Sequence, residues 1–151
     1  MTTNPYDIKT VLLAKHAQHV VLIHFPIALF PAAVAFDHLA QWMKNRALAA
    51  AAYFNLLGAA AFTVPVIATG FAAWQWALEG QKLKGILLMH LVQGSVSSAL
   101  IWLVLWIHWR AWRDPKKPLP NYRLPIEALA VLLVALTGHL GGFLSGVNGL
   151  G

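Results

Sequence analysis

His19-Val-Val-Leu-Ile-His24-Phe-Pro-Ile-Ala-Leu29 places two imidazoles at the mouth of an apolar run that continues to Ala40. A helix rising 1.5 Å per residue needs about 20 such residues to cross roughly 30 Å of hydrocarbon, so this run reads as a membrane span. An ionisable side chain inside a span is costly, which makes these histidines functional candidates at the outset.

Composition supports the reading. The chain is 59% hydrophobic and 11% charged, where soluble domains carry about a quarter charged residues. Such a chain cannot cover a soluble fold of its size, and its length suits one domain, residues 1–151. No cysteine is present, which excludes disulfides, thiolate metal sites and c-type haem attachment. The net charge of +6 does not indicate nucleic acid as a partner, because the basic residues flank apolar runs as topology determinants do. Asp7 and Lys9 interrupt the region where a cleavable signal would be apolar, so the first span is expected to stay in the mature protein.

The pattern predicts an all-α, polytopic membrane four-helix bundle with spans near 19–42, 50–76, 85–109 and 124–147. Pro26 and Pro31 fall in the first span and Pro65 in the second, positions that membrane helices tolerate. Small residues crowd the second span, at Gly58, Ala59, Ala60, Ala61 and Gly70, and allow close backbone approach. The third opens with His90, Gln93, Gly94, Ser95, Ser97 and Ser98, and the fourth ends glycine-rich.

Four crossings put both termini on one side, here called side A. Lys9, Lys15, Lys82 and Lys84 lie on side A; Lys44, Arg46, Arg110, Arg113, Lys116, Lys117 and Arg123 lie on side B. The excess on side B marks it as cytoplasmic, with periplasmic N- and C-termini in a bacterial inner membrane. Trp74 and Trp76 at side A, with Trp42, Trp106, Trp109 and Trp112 at side B, match interfacial belts.

This topology gathers histidines from distant parts of the chain. His24, His90 and His139 fall roughly 6, 7 and 10 Å inside side A, and His19 lies nearer the surface. Haem iron suits such a layer, because it takes axial imidazoles from facing helices. Gly94 follows His90 by one helical turn, Gly142 follows His139 on the same face, and Gly138 and Gly141 thin the wall beside a flat macrocycle. The candidate cofactor-binding residues are thus His19, His24, His90, His139, Gly94, Gly138, Gly141 and Gly142, with His24, His90 and His139 as metal ligands. His24 ranks first; depth favours His90 as its mate, and the glycine pocket favours His139. A second haem would pair His19 with the remaining histidine. The plainer alternative has each histidine hydrogen-bonded to a neighbouring helix.

Asp37, His38 and His108 lie toward side B and are expected to form a polar cluster, a structural anchor more than a proton relay, with Arg110 or a histidine as partner to the aspartate. His16 and His19, three apart, could pair on a helix surface but read first as ordinary interfacial residues. Phosphate loops, zinc-protease motifs and serine triads are absent, as is a pair of carboxylates in acid–base register within the spans.

The motifs together resemble DUF2231, a family of small four-helix bacterial membrane proteins. They are His19-x4-His24-Phe25-Pro26 with Asp37 at the helix end, His90 early in the third span, and Gly138-His139-Leu140-Gly141-Gly142. Val20 stands where the family commonly has proline, and Ala72 or Ala73 where it often has aspartate. The resemblance implies a plan like membrane b-type cytochromes, hence haem b and electron transfer between a quinone or membrane partner and an external redox protein. That role is one of an electron-transfer protein more than a stand-alone enzyme, alone, as a homo-oligomer or within a larger complex. A haem-free scaffold or accessory subunit is the competing expectation.

Overall fold

The computed structural model describes residues 17–76, 78–114 and 118–146, the side chain of residue 17 excepted. All regular structure among them is helical: α1 (Ala17–Leu22), α2 (His24–Met43), α3 (Arg46–Trp76), α4 (Gly85–Arg113) and α5 (Arg123–Leu144). The stretches Gln18–Met43, Arg46–Trp76, Gly85–Arg113 and Arg123–Leu144 are each long and apolar enough to cross a membrane. The first of these joins α1 and α2.

Pro26 explains the join. It lacks an N–H for the Leu22 carbonyl, and its ring crowds that position, so the helix is interrupted at Ile23 and restarts at His24. Pro26 then sits in the first turn of α2, where no donor is needed. Ile23 N–H still donates to the His19 carbonyl at 3.0 Å, and the chain stays in one span.

The spans begin and end where local chemistry stops them. Lys44 adopts a left-handed conformation with φ 52°, closing α2. Asn45 then caps α3 through its Oδ1, which accepts from Ala47 N at 2.8 Å and Leu48 N at 3.3 Å. The second span therefore starts at Arg46, four residues before the expected 50. α4 runs past 109 to Arg113; Arg110 and Arg113 lie in its last turn, where cations complement the helix dipole, and stack over Trp106 and Trp109. α5 ends at Leu144 and the chain turns at Gly146 with φ 77°, short of the expected 147.

The helices form an antiparallel ring. α2 packs on α3, α3 on α4, α4 on α5, and α5 back on α2. Phe30, Ala33, Leu56, Ala59, Ala60, Ile101, Val104, Ala130 and Val134 make the core. Alanines at the α2–α3–α5 centre let backbones approach, which substitutes dispersion for the hydrophobic drive missing in lipid. Outward residues such as Phe54, Val64 and Leu132 are apolar and exposed, as a lipid-facing surface requires. Trp42 and Trp76, at opposite ends, project outward as interfacial anchors.

Candidate functional site

At the side A end of the bundle the helices line an open-sided cavity of about 540 Å³. That volume lies within the range of small-molecule and cofactor sites, roughly 300–1,000 Å³. Its walls are apolar, and three imidazoles enter it: His19 from α1, His24 from α2 and His90 from α4.

His19 and His90 come close together in the cavity wall. Their ring centroids are 6.4 Å apart and their planes are nearly perpendicular, at 89°. Each ring is oriented by a neighbouring helix. His19 Nδ1 donates to the Val66 carbonyl at 3.1 Å, with Thr69 Oγ1 at 3.3 Å. His90 Nδ1 donates to the Thr137 carbonyl at 3.1 Å. A carbonyl only accepts, so each ring carries its proton on Nδ1 and its lone pair on Nε2. Carbonyl-anchored imidazoles of this kind are the usual second shell of metal-ligating histidine.

Two glycines seat these rings. A Cβ at Gly70 would stand 3.0 Å from His19 Cε1, and one at Gly141 would stand 3.2 Å from His90 Cε1. Gly141 thus makes room for an imidazole, where the sequence suggested room for a macrocycle. Gly94, Gly138 and Gly142 line the cavity. The missing Cβ of Gly94 faces the Thr137 methyl at 3.5 Å, and that of Gly138 faces Ile27 at 3.3 Å.

The remaining candidates lie elsewhere. His24 reaches the cavity from an exposed position, and its Nδ1 donates to the Val20 carbonyl at 2.7 Å, one turn back beside the helix interruption. His139 is exposed, packs edge-on against Phe143 at 5.0 Å, and is not part of the cavity wall. Common depth brought His24, His90 and His139 together in the sequence reading; rotation about the helix axes brings together His19, His24 and His90 and leaves His139 outside. Gly70 was read only as a small packing residue. Val66, one turn earlier on α3, and Thr69, immediately before it, were the available signal. His16, Lys9 and Lys15 lie outside the described residues. Lys82 and Lys84 are exposed in the loop that bounds the cavity end.

A second polar group is buried at side B. Arg123 donates to Asp37 Oδ2 from Nη2 at 2.7 Å and Nε at 3.0 Å. Its Nε is 3.6 Å from Glu127 Oε1, which also accepts from His108 Nε2 at 3.0 Å. Gln41 Nε2 donates to Asp37 Oδ2 at 3.0 Å. The partner of Asp37 is therefore Arg123 rather than Arg110, whose guanidinium lies over Trp106. The expected absence of paired carboxylates from the spans is also corrected, because Asp37, His108 and Glu127 bring ligand-type atoms within 4.8 Å. Arg123 and Glu127 are four apart on one helix face, a spacing visible in the sequence but hidden by reading Arg123 as part of the basic connection.

The family model for predicted membrane proteins, DUF2231, matches residues 15–151, nearly the whole chain. The chain belongs to the DUF2231 family. Both site regions of this DUF2231 protein, the histidine cavity and the side B cluster, fall within the matched residues. No curated protein and no solved structure shows significant similarity to it.

Proposed function

We propose that this DUF2231 protein is a membrane-embedded b-type haem protein that transfers electrons. The separation of the His19 and His90 rings carries this reading. A nitrogen–metal bond is about 2.0 Å, and an imidazole centroid lies about 1.2 Å behind its nitrogen, so rings on opposite sides of one metal have centroids about 6.4 Å apart. The observed separation is 6.4 Å. Rings at a tetrahedral angle on one ion would come about 1 Å closer. His19, His24 and His90 all line the cavity, and the 6.4 Å separation of His19 and His90 is what favours haem over a tetrahedral zinc site.

Haem b bound there would supply a one-electron couple. The chain supplies the rest. His19 and His90 would hold the iron from α1 and α4, and the Val66 and Thr137 carbonyls, which accept hydrogen bonds from their Nδ1, fix the orientation of the rings and would raise their basicity. Apolar walls, including Ile23, Val66 and Val134, exclude water and so bias the potential. Lys82 and Lys84 put positive charge at side A, where propionates or an acidic partner would lie. The charge bias places that side in the periplasm of a bacterium, with a quinone or membrane protein as one partner and an external redox protein as the other.

The hydrogen bonds of His19 and His90 also favour a second reading, in which these residues only tie helices together in a haem-free scaffold. A reduced-minus-oxidised spectrum of the purified protein, with pyridine haemochrome quantification, separates the two. The proposal expects one b-type haem per chain; the scaffold expects none.

A further inference from the structure

At the opposite end of the bundle, about 20 Å along α2 from His24, the side B cluster holds more negative than positive charge. Asp37, from α2, and Glu127, from α5, are two carboxylates, 3% and 0% exposed. Arg123 is the one guanidinium between them, and both of its short bonds go to Asp37. Glu127 receives a hydrogen bond on Oε1, from His108 of α4. Its Oε2 is buried and has no hydrogen-bond partner among the described residues. His38 Nε2, on α2, lies 3.4 Å from that oxygen. The His38 side chain is half exposed, while that of Glu127 is 1% exposed. Among the described residues α3 contributes no hydrogen bond or ion pair to the group.

A buried carboxylate with one oxygen unsatisfied and its only guanidinium committed elsewhere is costly as an anion, and such groups neutralise instead. Two neutralising species are available, a metal ion or a proton. Asp37, His108 and Glu127 are spaced for a metal. A cation among them, however, would meet the Arg123 guanidinium, which already lies 2.7 Å from Asp37 and 3.6 Å from Glu127. Like-charge repulsion at that range in a low dielectric excludes it while Arg123 holds its place.

We propose that Glu127 is a proton-binding site of the membrane interior, loaded from side B through His38. A proton from water at side B passes by way of the His38 imidazole to Glu127 Oε2, and the cluster goes from a net charge of −1 to neutral. Release reverses the step. Asp37 and Arg123 remain an ion pair throughout, and His108 steadies the other oxygen. This inference does not depend on haem in the side A cavity.

Infrared spectroscopy of the full-length protein in lipid nanodiscs tests it. Across a pH titration the native protein is expected to show a protonated-carboxyl band that shifts in heavy water and is missing from Glu127→Gln. In His38→Phe the band persists, but its hydrogen–deuterium exchange slows at least tenfold. His38 is half exposed, so that variant keeps the test valid if Glu127→Gln does not fold. Absence of the band in the native protein, or unchanged exchange in His38→Phe, overturns the proposal. Stoichiometric binding of zinc ion that Glu127→Gln abolishes would overturn it in favour of a metal site.

Discussion

The His90 ring occupies the space that a side chain at Gly141 would fill: a Cβ there would lie 3.2 Å from His90 Cε1. Gly70 stands in the same relation to His19, at 3.0 Å. Two helices thus give up side chains to let imidazoles from α1 and α4 turn into the cavity. Gly141→Val and Gly70→Val should each displace the ring they face and lower haem content per chain at least fivefold, read as Soret absorbance over protein. Gly94→Ala, whose nearest neighbour would be an ordinary 3.5 Å contact, should keep it.

His139 separates depth from direction. It lies one residue from Gly138, which lines the cavity, yet is itself exposed beside Phe143. His139→Ala is expected to retain full haem occupancy and an unchanged spectrum.

The Asp37–Arg123 pair is buried on both sides and bonded twice. Arg123→Ala leaves two carboxylates without a guanidinium, and loss of one partner of a buried pair costs about 3–5 kcal/mol. Unfolding in a mixed-micelle denaturant titration should show that loss. Replacing both residues together, as Asp37→Leu with Arg123→Met, should recover more than half of it.

Trp102 Nε1 donates to Thr63 Oγ1 at 3.0 Å and ties α4 to α3. Thr63 is buried and also donates to the Ala60 carbonyl at 2.6 Å. Thr63→Val keeps the shape and removes the acceptor. The expected cost is about 0.6 kcal/mol, the average for interhelical bonds in a bilayer, seen in the same titration.

The four spans were legible because hydropathy over 20 residues outweighs any local signal. Their ends were less so. Asn45 moves the start of α3 forward by capping it, and Gly146 stops α5 early; both depend on backbone conformations that composition does not reveal. For the site, rise per residue gave the depth of each histidine and set His90 level with the first helix, beside which it lines the cavity. Rotation about the axis was not available, so His139 was grouped with the rest and His19 was ranked below His24. Pro26 breaks the helix between those two histidines, which alters their relative facing in a way a regular helix would not. At side B, Asp37 was recognised as needing a partner, but only packing of α5 on α2 shows that Arg123 and Glu127 come with it.

The most direct test of the histidine cavity compares absorption spectra of the purified native protein, His19→Ala and His90→Ala, each with haemochrome quantification. The proposal predicts a b-type spectrum in the native protein, with reduced haem and an altered Soret band in both variants. A native protein purified from haem-sufficient cells without haem, or variants that match it in content and spectrum, would contradict it.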